Sequence, residues 1–214
     1  WSRRTCRPTA DGSTDEVGVF EMEEHGLVEI EDASARFVGE ASGSPGSVVL
    51  AAMEGTRPLL VEIQALVHRT EVVPPRRVAN GIDRNRLALV LAVLGRHGGL
   101  SLADHDVFVN VVGGVRIDEP AADLAIALAV ASAAKGVTLS QGEVPLACFG
   151  EIGLTGELRP VPHADRRAAE AVKFGLAEVI VPSERAGAQE TRTLRQALAR
   201  ALEVPALIGV QTVG

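Results

Sequence analysis

The run NVVGGVRIDEPAADLAIALAVASAA, residues 110–134, constrains the fold more than any other part of the chain. It reads as a buried strand end, a Gly113-Gly114 turn, a short polar loop and then a long apolar helix. Loops that hand a strand over to a helix often carry an active site. Pro120 suits the first helical turn, where its missing N–H costs nothing. Asp118 or Glu119 would favour the positive end of the helix dipole. Ala121, at the head of the helix, is chemically inert. The junction therefore has the shape of a site without a reactive atom.

Composition narrows what surrounds it. A hydrophobic fraction of 46% supports a large core, and with aromatics at 3% that core must be built from Val, Leu, Ile and Ala. The net charge of −7 argues against nucleic-acid binding by the whole surface, although a local basic patch is compatible with it. Acidic residues concentrate between Asp11 and Glu40, where ten carboxylates face one Arg36. Cys6 and Cys148 stand far apart without a CxxC partner, which argues against a zinc site and for a reducing, cytoplasmic setting. No run is apolar enough to span a membrane, and no signal peptide is visible. The chain opens on Trp1, so part of a longer polypeptide is expected.

In chain order, residues 1–12 are basic, turn-rich and aperiodic and read as a disordered start. Residues 13–22 read as a strand, with Leu27–Ile30 as its hairpin partner. Asp32–Ser47, rich in Ala, Ser and Gly and ending in SGSPGS, reads as a linker with a domain boundary near residue 45. Val48–Met53 and Leu59–Val67 flank a Gly-containing loop and read as a hairpin. Val72–Arg77 contains Pro74-Pro75 and reads as an extended connector. Arg84–His97 has helical apolar spacing and stops at Gly98-Gly99. A strand over 106–112, helices over 121–135, 165–174 and 191–202, short strands over 145–150, 178–182 and 207–210, and a Gly-punctuated loop or hairpin over 151–157 follow. Alternating strands and helices predict an α/β or α+β fold, a mixed sheet covered by helices.

The chemistry tests are mostly negative. There is no GxxxxGK[ST] loop, so nucleotide hydrolysis by these residues alone is not expected. Ser132 lies about three turns along the apolar helix and reads as a packed small residue, Cys148 as a buried hydrophobe. His163 has no assigned nucleophile. Asp118, Glu119 and Asp123 cluster, but helix-terminal capping explains them more simply than metal or acid–base work.

The segment VGGVRIDEPAADLA (112–125), with STDEVGVFEM (13–22), NRLA (85–88) and FGEIGLTGELRPV (149–161), resembles the C-terminal part of the RadA (Sms) family of bacterial DNA repair proteins. The resemblance implies the last strands of a RecA-like ATPase core and linker over 13–45, then a domain over 46–214 similar to the proteolytic domain of Lon. In true Lon proteases a Ser at this junction works with a Lys on a later helix. Those positions fall here on Ala121 and Asp165, so the resemblance implies a scaffold without catalytic residues. A Lon-type serine peptidase, and the Lon-like domain of a magnesium-chelatase-like ATPase, are the alternatives. The family's Lys-Asn-Arg-Phe-Gly motif is matched only by Gly12 in Pro8–Gly12. The resemblance further implies a hexameric ring, DNA and the RecA recombinase as partners, and ATP-driven branch migration. ATP, Mg and Zn would belong to upstream parts, with no cofactor or metal in this chain. For DNA contact, Arg76, Arg77, Arg84 and Arg86 are the candidates, because they gather around the start of one helix. Arg166 and Arg167 are weaker ones.

Overall fold

The computed structural model describes residues 20–23, 26–29, 33–39, 41–139, 144–176, 179–182 and 191–202. Its strands are β1 (Phe20–Glu23), β2 (Gly26–Glu29), β3 (Ser47–Glu54), β4 (Arg57–Arg69), β5 (Arg77–Asn80), β6 (His105–Val111), β7 (Ala147–Cys148), β8 (Glu151–Ile152), β9 (Leu158–Arg159) and β10 (Val179–Ile180). The helices are α1 (Ala33–Gly39), α2 (Arg84–His97), α3 (Asp123–Lys135), α4 (Ala164–Lys173) and α5 (Leu194–Leu202).

A six-stranded mixed sheet, ordered β10-β7-β3-β4-β6-β5, carries the fold. β4 lies antiparallel to both β3 and β6; the outer pairs β3–β7, β7–β10 and β5–β6 are parallel. The architecture is the mixed sheet covered by helices expected from the alternation of elements. β3 is apolar at consecutive positions rather than at alternate ones, and Val48 to Ala52 are accordingly all buried, as in a strand covered on both faces. In β4 the pattern changes midway. Leu59 to Ile63 are buried, whereas Gln64 to Arg69 present one face to water.

α3 has no polar face, and every residue from Asp123 to Ser132 is buried. It rests on β3 and β4 and is flanked by α2 and α5. Gly136 ends it in the left-handed conformation, its N–H bonded to Ala133 and Ser132 carbonyls. α2 starts at Asp83, whose carboxylate accepts the Arg86 N–H, and buries Leu87, Val90, Val93 and Leu94.

Two stretches differ from the sequence expectation. The Ala- and Ser-rich segment read as a linker contains α1, which packs against the part of β4 that precedes its pairing with β6; the Ser34 Oγ accepts the Leu60 N–H. The connector read through Pro74-Pro75 runs into a strand, β5, whose four residues align with Val107–Asn110. In both cases tertiary pairing supplies what local propensity lacks. The hairpin at residues 20–29 is present as β1–β2. The start at residues 1–12 with Cys6, the strand at residues 13–19 and the strand at 207–210 lie outside the described residues.

Candidate functional site

The junction between β6 and α3 is built as the sequence suggests. Gly113 and Gly114 take positive φ, 81° and 66°, where a side chain would be strained. Pro120 opens a 3₁₀ turn, Pro120–Ala122, that leads into α3. Ala121 is 1% exposed. Its carbonyl accepts the Gly150 N–H at 2.9 Å, and the Leu124 N–H is bonded to the Gly150 carbonyl at 3.1 Å. Gly150, two residues beyond β7, is thus laced to Ala121 and to Leu124 three positions further on.

Asp165, the other residue expected from the resemblance to stand at a protease position, is exposed in the first turn of α4. Two residues on, Arg167 is 2% exposed. Residues two apart point roughly 200° apart around a helix, so a helix that aims Arg167 inward turns Asp165 outward. Arg167 donates from Nη1 to the Ala51 carbonyl at 2.8 Å and to Glu119 Oε1 at 2.9 Å, from Nη2 to Glu119 Oε2 at 2.5 Å, and from Nε to the Pro162 carbonyl at 3.0 Å. Its guanidinium carbon lies 5.7 Å from the centre of the Phe149 ring. Glu119 also accepts the Met53 N–H at 2.9 Å. An arginine–carboxylate fork therefore fills the space between β3, α4 and the head of α3.

This corrects the capping explanation of the acidic cluster. Neither the 3₁₀ turn nor α3 has a side-chain cap. Glu119 belongs to Arg167, and Asp118 is paired with Arg116 on the surface at 2.8 Å. Asp123 sits in the first turn of α3 but binds Arg86 Nη1 at 2.6 Å and the Ile152 N–H at 3.2 Å. Burial pushes the Asp123 carboxyl above its usual range, against the opposing pull of Arg86 and the Ile152 amide. Beside it, α2 and the β8–β9 hairpin enclose a cleft of about 340 Å³. There Glu157 is held down to about 2, chiefly by the Thr155 hydroxyl and its own backbone N–H, then by Arg159.

The four arginines nominated for DNA contact meet different fates. Arg76 donates its backbone N–H and its Nε to the buried Asp106, at 2.6 and 3.0 Å. The Arg76 amide is the main reason that the Asp106 carboxyl is held below its usual range. Arg77 donates to the carbonyls of His105 and Leu102. Arg86 is bound to Asp123. Arg84 is exposed at the start of α2. Arg166, the other secondary candidate, is exposed and donates to the Thr56 carbonyl at 3.0 Å.

Ser132 is a buried tie, as expected of a packed residue: its Oγ accepts the Gly46 N–H at 2.7 Å and donates to the Val137 carbonyl at 2.5 Å. Cys148 is wholly buried in β7, and burial pushes its thiol up. His163, with φ 61°, precedes α4 without a side-chain cap bond. Glu62 was not singled out from sequence. It is 1% exposed, and its carboxylate accepts from the Ser42 N–H and Oγ, the Ser47 Oγ and the Gln64 Nε2. It locks residues 42–47 onto β4. A lone Glu in an apolar strand carries no signal of such partners. Arg167 carries a signal of burial, since it shares a helical face with Ala168 and Ala171, but none that points to Glu119. Among the described residues, no group of three or more His, Cys, Asp or Glu is placed to hold a metal ion. No helix there is long and apolar enough to cross a membrane.

Comparison with known proteins agrees with this arrangement. Residues 78–185 match the family described as subunit ChlI of Mg-chelatase. The chain is 54% identical over 172 residues to DNA repair protein RadA of Haemophilus influenzae, a match spanning 80% of this chain and 37% of that protein. It is 53% identical over 173 residues to RadA of Escherichia coli and 49% identical over 174 residues to RadA of Bacillus subtilis, each again spanning 80% of the chain and 37% of the relative. The chain thus corresponds to little more than a third of the length of these relatives. The DEPAADLA junction, the mixed sheet covered by helices and the extent of this identity lead to one conclusion: the chain belongs to the RadA family of DNA repair proteins.

Proposed function

We propose that these residues form the non-proteolytic Lon-like platform of a RadA-type repair protein. The platform assembles as a hexameric ring and contacts DNA while an ATPase elsewhere on the polypeptide drives branch migration of recombination intermediates. ATP, Mg²⁺ and zinc belong to that ATPase and its neighbouring segments, RecA recombinase is the working partner, and the setting is the cytoplasm. Of the nominated DNA contacts, Arg84 keeps its guanidinium at the surface. Arg76, with a side chain 61% exposed, does so too while its Nε holds Asp106; Arg77 and Arg86 reach DNA only by exchanging their present partners for phosphate.

The observation that carries the non-proteolytic reading is the sealed junction. Ala121 offers no nucleophile and is buried, and the Arg167–Glu119 fork fills the adjoining space. A nucleophile needs both an activating base and room for a carbonyl beside it. Installing the missing groups is therefore expected to fail. Ala121→Ser, and Ala121→Ser with Asp165→Lys, should cleave unstructured casein no faster than the parent chain. Parent-chain hydrolysis abolished by Ser132→Ala would overturn the reading in favour of a peptidase. The assembly half is tested by light scattering on a size-exclusion column: a chain that stays monomeric at high micromolar concentration is no ring scaffold.

A further inference from the structure

We infer that the three-helix layer of α2, α3 and α5 is a nucleic-acid-binding face that tracks the phosphate backbone through Arg84, Arg96, Lys135 and Arg195. This deepens the DNA-contact part of the function proposed above and rests on it.

Charge distribution is the first support. The chain as a whole carries −7. Yet α2 and α5 contain no acidic residue, and α3 contains only Asp123, which is buried and bound to Arg86. Arg84, Arg96, Lys135 and Arg195 are all exposed and, among the described residues, stand in no ion pair. Asp83, the N-cap of α2, is the one carboxylate adjoining Arg84, and its Oδ1 is bonded to the Arg86 N–H. The exposed face of β4, β6 and β5 offers no such surplus. It shows Leu66 and Val78 beside Asn80 and Asn110, and its neighbouring Arg69 and Arg76 are paired with Asp104 and Asp106.

The second support is where the cations sit on their helices. Arg96 and Lys135 occupy last turns, where a cation complements the negative end of the dipole; helix electrostatics alone accounts for them. Arg84 and Arg195 do the opposite. Each lies in a first turn that has no acidic residue, where a cation meets the positive end of the dipole. The helix dipole disfavours both placements, offset in part at Arg84 by the neighbouring Asp83 carboxylate, whereas an external polyanion favours them.

Spacing is the third. Lys135 and Arg195 wall a single cleft of about 280 Å³ whose floor includes Gly98 and Leu100, just past the α2 C-terminus that carries Arg96. Arg84 lies twelve residues before Arg96 on α2, about 18 Å at 1.5 Å per residue. Between the two arginines, Ala88, Ala92 and Gly95 are exposed and small, and Leu89, 54% exposed, is the bulky apolar side chain of that stretch.

The test is fluorescence anisotropy of the full chain with a labelled 30-nucleotide single strand between 50 and 200 mM salt. Four phosphate contacts predict a log–log salt slope of about −2.8, an affinity loss of about fifty-fold across that range. Each single substitution to Gln should flatten the slope by about 0.7, and the variant Arg84→Gln/Arg96→Gln/Lys135→Gln/Arg195→Gln should bind almost independently of salt. Arg69→Gln, on the sheet side, should leave the slope unchanged. All four sites are exposed, so thermal melts of the variants should overlay the parent, and any that does not is replaced by the corresponding substitution to Ala, which also removes the charge. Binding that survives the fourfold variant with its slope intact overturns the assignment of this face and leaves the DNA-contact reading standing. Failure of the parent chain to bind at 50 mM salt sinks both.

Discussion

The substitution Arg167→Met probes the sealed junction directly. Methionine keeps an apolar stem against Phe149 while removing the guanidinium and its four hydrogen bonds. The carbonyls of Ala51 and Pro162 lose a donor, and Glu119 keeps only the Met53 N–H. Removing one member of a buried, hydrogen-bonded pair costs about 3–5 kcal/mol because the partner charge is left stranded. The Glu119 side chain is 23% exposed, so water recovers part of that, and the lower end, about 3 kcal/mol, is expected. For a chain of this size each kcal/mol moves the melting temperature by about 2–4 °C, which gives a drop of about 6–12 °C by calorimetry. The diagnostic is the double variant Arg167→Met/Glu119→Met. If the loss comes from a stranded carboxylate, removing it restores much of the stability, and the double variant melts above Arg167→Met. A single variant within about 1 kcal/mol of the parent, or strictly additive losses, would refute the claim that the fork seals this space.

Three further outcomes follow from the same geometry. Gly46→Ala should destabilise by about 2–4 kcal/mol, since a Cβ there would lie 2.3 Å from the Ala65 carbonyl oxygen at φ +91°; urea denaturation measures it, and a neutral result would mean the 42–47 turn is not held as described. Glu62→Ala should cost about 2–4 kcal/mol by orphaning donors from Ser42, Ser47 and Gln64, and should open residues 33–47 to limited proteolysis, whereas Glu62→Gln should be milder. Glu157 has a folded-state pKa near 2, below the unfolded value, so its contribution to stability is full above about 4.5 and is lost as pH falls toward 2. Thr155→Ala removes the largest cause and should bring the carboxyl titration, followed by carbon-detected NMR, up toward the ordinary glutamate range.

How much of this was legible in the sequence depended on whether the information was local. α3 was, because an uninterrupted apolar run between Pro120 and Gly136 admits few alternatives. So was the β3–β4 hairpin, with its β-branched runs around Gly55. β5 was not: Pro74-Pro75 dominated the local reading, and the strand exists because Arg77–Asn80 pairs with Val107–Asn110 nearly thirty residues away. α1 was hidden by Ala and Ser content that also suits a linker, and β4 is what it packs against. The expectation that Ala121 stands at a nucleophile position rests on one residue and a resemblance. The fork that fills the space beside it was not legible, since Glu119 and Arg167 are 48 positions apart and arginine is ordinarily a surface residue. The four nominated arginines share this weakness. Proximity in sequence placed them in one patch, while the fold gave Arg76 and Arg86 to carboxylates and Arg77 to carbonyls.

The junction also explains how a helix layer can act as a fixed surface. Within six residues the chain makes three kinds of tie. Glu119 joins β3 to α4 through Met53 and Arg167. Ala121 and Leu124 clasp Gly150 beyond β7. Asp123 holds Arg86 of α2 and the Ile152 amide of β8. In a hydrolase the same backbone must leave an open cleft for substrate, and some of these contacts would have to be given up. Here the head of α3 is bound on every side, so α2 and α3 are registered to the sheet at one point. Cations that must meet successive phosphates lose binding if their spacing fluctuates, because each disordered contact adds an ordering cost on association. The closed packing around Ala121 and the fixed seating of α2 and α3 on the sheet are therefore two consequences of the same contacts.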